Sequence, residues 1–257
     1  MAYTDILYQP ADEGVGRLIL NRPDKRNALA PSTLGELCAA LDEARADDRV
    51  RVLVLTGAGK VFSAGGDLGQ MAGGGPAVAR PASLPDLFLR MARLGKPILA
   101  MVNGHALAGG LGLVVACDLA LAADTAQFGT PEIGVGLWPM MIMAQIRRNV
   151  PRKKALEMML LGDRMDAAEA ARVGLVNRVV PAARLEEETM ALARRLAALA
   201  PAARRLGLLG FYETEDMALE PALHHLAGQL LAVLATDDAR EGLSAFLEKR
   251  PPRFTGR

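Results

Sequence analysis

The stretch NGHALAGGLGLVVACDLALAADTAQFGTPE, Asn103–Glu132, decides the reading of this chain. Its opening glycines leave backbone amides bare, because no side chain stands between them and a ligand. An apolar run follows, and the stretch ends on a lone acid, Glu132, between Pro131 and Ile133. Bare amides followed by one carboxylate in apolar company are the parts of an oxyanion site with a proton carrier beside it. Within the stretch, Leu111–Cys117 reads as helical, Asp118–Ala122 as extended and Ala126–Phe128 as a short strand.

Working back toward the N-terminus, the same rhythm recurs. Ile98–Val102 and Val50–Leu55 are short apolar runs that predict buried parallel strands. Each leads into a glycine turn, the first at Gly104–Gly112 and the second at Ala64-Gly65-Gly66. Between Pro31 and Ala46, apolar residues at Leu34, Leu37, Cys38 and Leu41 mark one helix face, and Pro31 suits the first turn. Leu84–Leu94 predicts a further helix, ended by Lys96-Pro97. Ala72–Pro81 reads as a flexible excursion, and Thr4–Tyr8 with Gly16–Leu20 as a hairpin around the turn-rich Pro10–Gly14. Strand, helix, strand in succession argues for an α/β fold. Two familiar motifs fail. A P-loop ending at Lys60 would need glycine at Val54 and a hydroxyl residue at Val61, and a nucleophile elbow around Ser63 would need glycine at Val61.

Beyond Trp138 the pattern turns helical, over Pro139–Asn149 and Arg152–Leu161, with Met140, Met141 and Met143 expected in the core. Asp166 and Glu169 have capping-box spacing at the start of a short helix, and Leu175–Val180 reads as a strand. Four helices rich in alanine and leucine follow, over Leu185–Leu199, Ala202–Thr214, Leu219–Ala235 and Asp238–Lys249. The chain therefore divides into a core, residues 1–200, and a helical region, residues 201–257, whose apolar faces are expected to pack on another subunit. The basic cluster Arg147, Arg148 and Arg152–Lys154 reads as a solvated face.

With 257 residues, 51% of them hydrophobic, the chain can bury a full core. Its 30 basic and 29 acidic residues nearly cancel, which argues against nucleic acid or a membrane surface as partner. Cys38 and Cys117 stand in apolar segments, as reduced core thiols do, and His105, His224 and His225 form no metal pair. No signal-peptide pattern opens the sequence, and its apolar runs are too short or interrupted to span a bilayer, so a cytoplasmic protein is expected.

Several motifs together resemble the enoyl-CoA hydratase/isomerase (crotonase) superfamily. They are NRPDKRNAL (Asn21–Leu29), FSAGGDL (Phe62–Leu68), the Asn103–Gly110 turn, ACDLALAAD (Ala116–Asp124) and FGTPEIGVGLWP (Phe128–Pro139). ARVGLVNRVVP (Ala171–Pro181) and FLEKRPPRFTGR (Phe246–Arg257) extend the agreement over the whole chain. The resemblance implies a crotonase-like spiral of repeated ββα turns, C-terminal helices that form a trimer or a dimer of trimers, and a coenzyme A thioester substrate. No cofactor beyond the coenzyme A moiety is implied. Carried over by position, the amides of Ala64 and Gly109 would form the oxyanion hole and Glu132 would be the acid/base. Lys25, Arg26, Ala28, Ala64, Gly65, Asp67 and Leu68 would hold the coenzyme, and Lys249 would reach its phosphate. Family hydratases carry a second glutamate where this chain has Gly112. One carboxylate favours a 1,3 proton shift over hydration, unless Asp67 or Asp86 replaces the missing acid, and Gly112 could instead make room for a bulky acyl group. Other thioester chemistry, such as hydrolysis or decarboxylation, or acyl-CoA binding without turnover, is the alternative.

Overall fold

The computed structural model describes residues 3–67 and 83–257. Leu68 and the Ala72–Pro81 excursion lie outside them. A hairpin opens the fold: β1 (Ile6–Asp12) pairs antiparallel with β2 (Val15–Leu20). The turn is tighter than the sequence suggests, because β1 runs on through Pro10 to Asp12 and only Glu13 and Gly14 take positive φ. Pro10 is tolerated because β1 is an edge strand whose register slips between Gln9 and Asp12.

From β2 the sheet grows in parallel through β3 (Val52–Gly57), β4 (Ile98–Val102), β6 (Leu119–Ala123) and β9 (Arg178–Val180). Helix α1 (Pro31–Ala46) crosses from β2 to β3, and α2 (Leu84–Ala92) precedes β4. Helix α7 (Leu185–Ala197) covers the opposite face. The alternation along β3 explains its unbroken apolar sequence. Leu53 and Leu55 face the main core with Leu37 and Leu41, whereas Val52 and Val54 face the second cluster with Leu185, Ala193 and Ala197.

Helix α3 (Gly109–Ala116) runs between β4 and β6, and every residue from Gly110 onward is buried. A second, three-stranded sheet joins β5 (Ala106–Leu107), β7 (Gln127–Gly129) and β8 (Arg164–Asp166). The sequence pattern misses β5 and β8, since two or three residues are too few to show a period. Helices α4 (Met140–Asn149), α5 (Arg152–Leu161) and α6 (Ala167–Arg172) follow, and Asp166 caps α6 by accepting from the Glu169 amide at 2.8 Å. Met140 and Met141 are exposed rather than in the core, because α4 turns only Ile142 and Ile146 fully inward. Arg148 does not simply face solvent: it pairs with Glu215 at 3.2 Å and Asp216 at 2.6 Å, tying α4 to the segment after α8.

Helices α8 (Pro201–Thr214), α9 (Leu219–Leu234) and α10 (Asp237–Leu247) pack on one another. The Tyr212 hydroxyl docks α8 by donating to Asp118 at 2.6 Å. Buried Asp238 accepts from the Ala202, Thr255 and Gly256 amides, fastening the C-terminal segment to the start of α8. No residue of α9 is buried, and its Leu219, Leu223, Leu230 and Leu231 stand in the open. Cys38 and Cys117 are buried free thiols, as their apolar settings suggest.

Candidate active site

The site forms where two glycine turns meet. After β3 the chain passes through Ser63–Asp67; after β4 it passes through Ala106–Gly109 into α3. A short parallel bridge pairs Ser63 with Ala106, the Ser63 amide donating to the His105 carbonyl at 3.1 Å and the Leu107 amide to the Ser63 carbonyl at 2.9 Å. Gly65, at φ 93°, lies in the gap: a Cβ there would stand 2.5 Å from the Ala108 Cβ and 3.0 Å from the Gly109 nitrogen. Only glycine lets the turns approach this closely.

The hydrogen bonds of the first turn show which amide is open. Ala64 donates to the Arg26 carbonyl at 3.0 Å, Gly65 to the Ser63 hydroxyl at 3.2 Å and Asp67 to the Leu29 carbonyl at 3.2 Å. The Ala64 amide, expected to be bare, is therefore occupied. Between Ser63 and Asp67, only the Gly66 amide donates no hydrogen bond among the described residues. In the second turn Ala108 donates to the Gly129 carbonyl at 2.9 Å, and Gly109, the first residue of α3, donates to none of the described residues. The two open amides are neighbours, a Cβ on Gly109 lying 3.7 Å from the Gly66 nitrogen. Gly109 also begins a helix, where orphan N–H groups and the helix dipole favour negative charge. Which amide of Ala64-Gly65-Gly66 stays open is set by carbonyls far along the chain, so no local signal in the sequence marks Gly66.

Glu132 approaches along the smaller sheet. β5 and β7 run parallel, so Gly109 and Glu132 both follow the C-terminal ends of adjacent strands, where ligands of α/β proteins commonly sit. Glu132 lies in a 3-10 turn, Pro131–Val135, which packs on α5. The residue is half-buried, but its Oε2 is shielded and accepts no hydrogen bond among the described residues. Loss of solvent pushes its carboxyl above the usual carboxylate pKa, as a proton shuttle requires.

The loop bearing Lys25, Arg26 and Ala28 is joined to the first turn. Buried Asn27, at φ 54°, donates to the Ala58 and Val61 carbonyls at 2.9 and 2.7 Å and accepts from the Arg22 amide. Arg22 donates to the Ala28 carbonyl at 2.6 Å and pairs with Asp67 at 3.2 Å. Arg22 and Asn27, to which the sequence motif alone assigns no role, thus hold the loop against the first turn, while Lys25 and Arg26 remain exposed. Lys249 follows α10, a helix packed on α8 and α9.

Asp67 and Asp86 are both engaged elsewhere. Asp67 pairs with Arg22, and Asp86 caps α2 by accepting from the Ser83 amide and hydroxyl. Gly112 leaves no room for an acyl group either, since the space beside it is filled by Ile142 and Phe88.

The fold thus carries two neighbouring open amides and one partly desolvated carboxylate after the ends of adjacent strands. The sequence profile of the Enoyl-CoA hydratase/isomerase family matches residues 10–257, and the chain belongs to that enzyme family. Among curated relatives, the 2,3-dehydroadipyl-CoA hydratase of Escherichia coli strain K12 is 36% identical over 241 residues, covering 93% of this chain and 94% of its own. A human mitochondrial enoyl-CoA hydratase domain-containing protein 3 is 36% identical over 244 residues, covering 93% and 80%. The crystal structure of an enoyl-CoA hydratase from Mycobacterium smegmatis superposes with a TM-score of 0.92 at 36% identity, covering 98% of this chain and 99% of that one. The fold is accordingly the crotonase fold.

Proposed function

We propose that the chain processes an acyl-CoA thioester through its enolate, with Glu132 as sole acid/base and the Gly66 and Gly109 amides as the oxyanion hole. The carrying observation is the shielded Oε2 of Glu132, without a hydrogen-bond partner among the described residues and placed after a strand parallel to the one that leads to the open Gly109 amide. Taking a proton from the α-carbon moves charge onto the thioester oxygen, and each fixed amide aimed there stabilises it by about 3 kcal/mol. Glu132 then returns the proton to the α- or γ-carbon. Gly66 replaces Ala64 in this role because the Ala64 amide is already donated. The loop Lys25–Ala28, Gly65 and Leu68 would receive the coenzyme, and Lys249 would reach its phosphate from a neighbouring subunit.

3-Enoyl-CoA is expected to become 2-enoyl-CoA, followed by the ultraviolet absorbance of the conjugated thioester. A chain that binds the thioester but moves no double bond would refute the reading. The exposed leucines of α9, with Phe246 and Leu247 after them, support a homotrimer or a dimer of trimers. Sedimentation at micromolar concentration is expected to give three or six chains, and a monomer would exclude that assembly.

A further inference from the structure

At the end of the large sheet away from the amide turns, a cavity of about 250 Å³ lies between the core and the helical region. Arg51 lines it just before β3, Lys96 just before β4, Arg204 and Arg205 on α8, and Arg257 in the C-terminal segment. Elsewhere in this chain arginines meet carboxylates, as Arg17, Arg22, Arg148 and Arg250 do with Glu186, Asp67, Asp216 and Glu241. Among the described residues, these five cations hold carbonyls instead. Arg51 donates to Ala197 at 3.3 Å, Lys96 to Ala44 and Asp47 at 2.7 and 2.8 Å, and Arg204 to Leu196 and, at 2.8 Å, to Arg51. The Arg204 Nε is shielded from solvent and has no hydrogen-bond partner among the described residues.

Little on the lining balances this charge. Asp48 is the single carboxylate side chain there, and it is exposed. Asp238, whose amide donates to the Arg257 carbonyl, has its oxygens taken by the Ala202, Thr255 and Gly256 amides. Burial, and then the charge of Arg51, lower the pKa of Arg204, and burial lowers that of Lys96. Arg204 and Arg205 also stand near the N-terminus of α8, the end at which a helix dipole favours anions over cations. A partly buried cluster of one sign is unfavourable until a counter-charge joins it.

We infer that this cavity binds a diphosphate group, which braces the helical region and the C-terminal segment on the core. Arginine forks match phosphate oxygens in pairs, and lysine adds a point charge. Five cations against one carboxylate leave more positive charge than a single phosphate can match. The cavity has the liquid volume of about eight waters, room for a diphosphate but not for a whole nucleotide. The diphosphate is therefore either the free ion or the exposed end of a nucleotide whose remainder stays outside.

Sodium pyrophosphate titrated into the whole chain at constant ionic strength, followed by calorimetry and melting temperature, is the test. One diphosphate per chain is expected, with the melting temperature raised by about 5 °C at roughly 100 times the dissociation constant. Arg205→Ala with Arg257→Ala, both at exposed positions, should fold normally and weaken binding by about 10-fold or more. Arg205→Gln alone is the milder change and should weaken it less. Lys25→Ala, on the loop proposed to receive the coenzyme, should bind pyrophosphate as wild type does. ADP separates the sources: ADP binding that the double variant loses identifies a nucleotide-borne diphosphate, and pyrophosphate binding without ADP binding identifies the free ion. Four results would overturn the inference: no binding, binding unchanged in the double variant, binding lost in Lys25→Ala, or sulfate bound as tightly as pyrophosphate.

Discussion

Glu132→Gln is expected to cut the conversion of 3-enoyl-CoA to 2-enoyl-CoA by about 10²- to 10⁴-fold, the usual contribution of a positioned acid/base. Thioester binding should survive, because the amides and the loop around Arg22 are untouched. Stability should change in a pH-dependent way. Burial raises the Glu132 pKa above its unfolded value, so the folded state holds this proton more tightly than the unfolded one. Stability then falls as pH rises from the ordinary carboxylate value through the raised native one. Glutamine has no charge to desolvate, so the variant should match wild type at low pH and melt higher at neutral pH. Wild-type activity should rise over the same window as Glu132 ionises. Equal turnover in the two proteins, measured from pH 4 to 8, would remove Glu132 from the chemistry.

Gly65→Ala is expected to cost on the order of 3 kcal/mol of stability and most of the activity, by strain and by collision together. The strain arises because φ 93° is ill suited to any residue with a Cβ. The collision arises because that Cβ would meet the Ala108 Cβ at 2.5 Å and the Leu107 carbonyl at 2.9 Å. Both contacts lie on the second turn, so relief requires the turns to part and separates the Gly66 and Gly109 amides. Denaturant unfolding with parallel kinetics is the check. A folded variant of normal stability and activity would show that the close seating of the turns is not needed.

These two sites differ in how far the sequence reveals them. The α/β architecture is legible because β3 and β4 are buried on both faces and α1 carries its apolar stripe plainly. Glu132 is legible because an isolated acid stands among apolar residues. The open amide is not, since Ala64, Gly65 and Gly66 read alike until the Arg26 carbonyl and the Ser63 hydroxyl are seen to occupy two of them. Nor is the seating of Ile142 beside Gly112, which depends on how α4 lies across α3. Met140 and Met141 show the same limit: helical spacing identifies the faces of α4 but not which of them is covered.

The order of strands in the large sheet, β1-β2-β3-β4-β6-β9, has a consequence for biosynthesis. Spatial order follows chain order, so each strand leaving the ribosome finds its docking edge already made. None has to be inserted between two partners that have already paired. The first turn, Ser63–Asp67, can wait on the finished β3 edge until Ala106–Leu107 emerges and zips against it. Glu132 is translated after both amide turns, so the nascent chain acquires this carboxylate only once the two open amides have a scaffold to stand on.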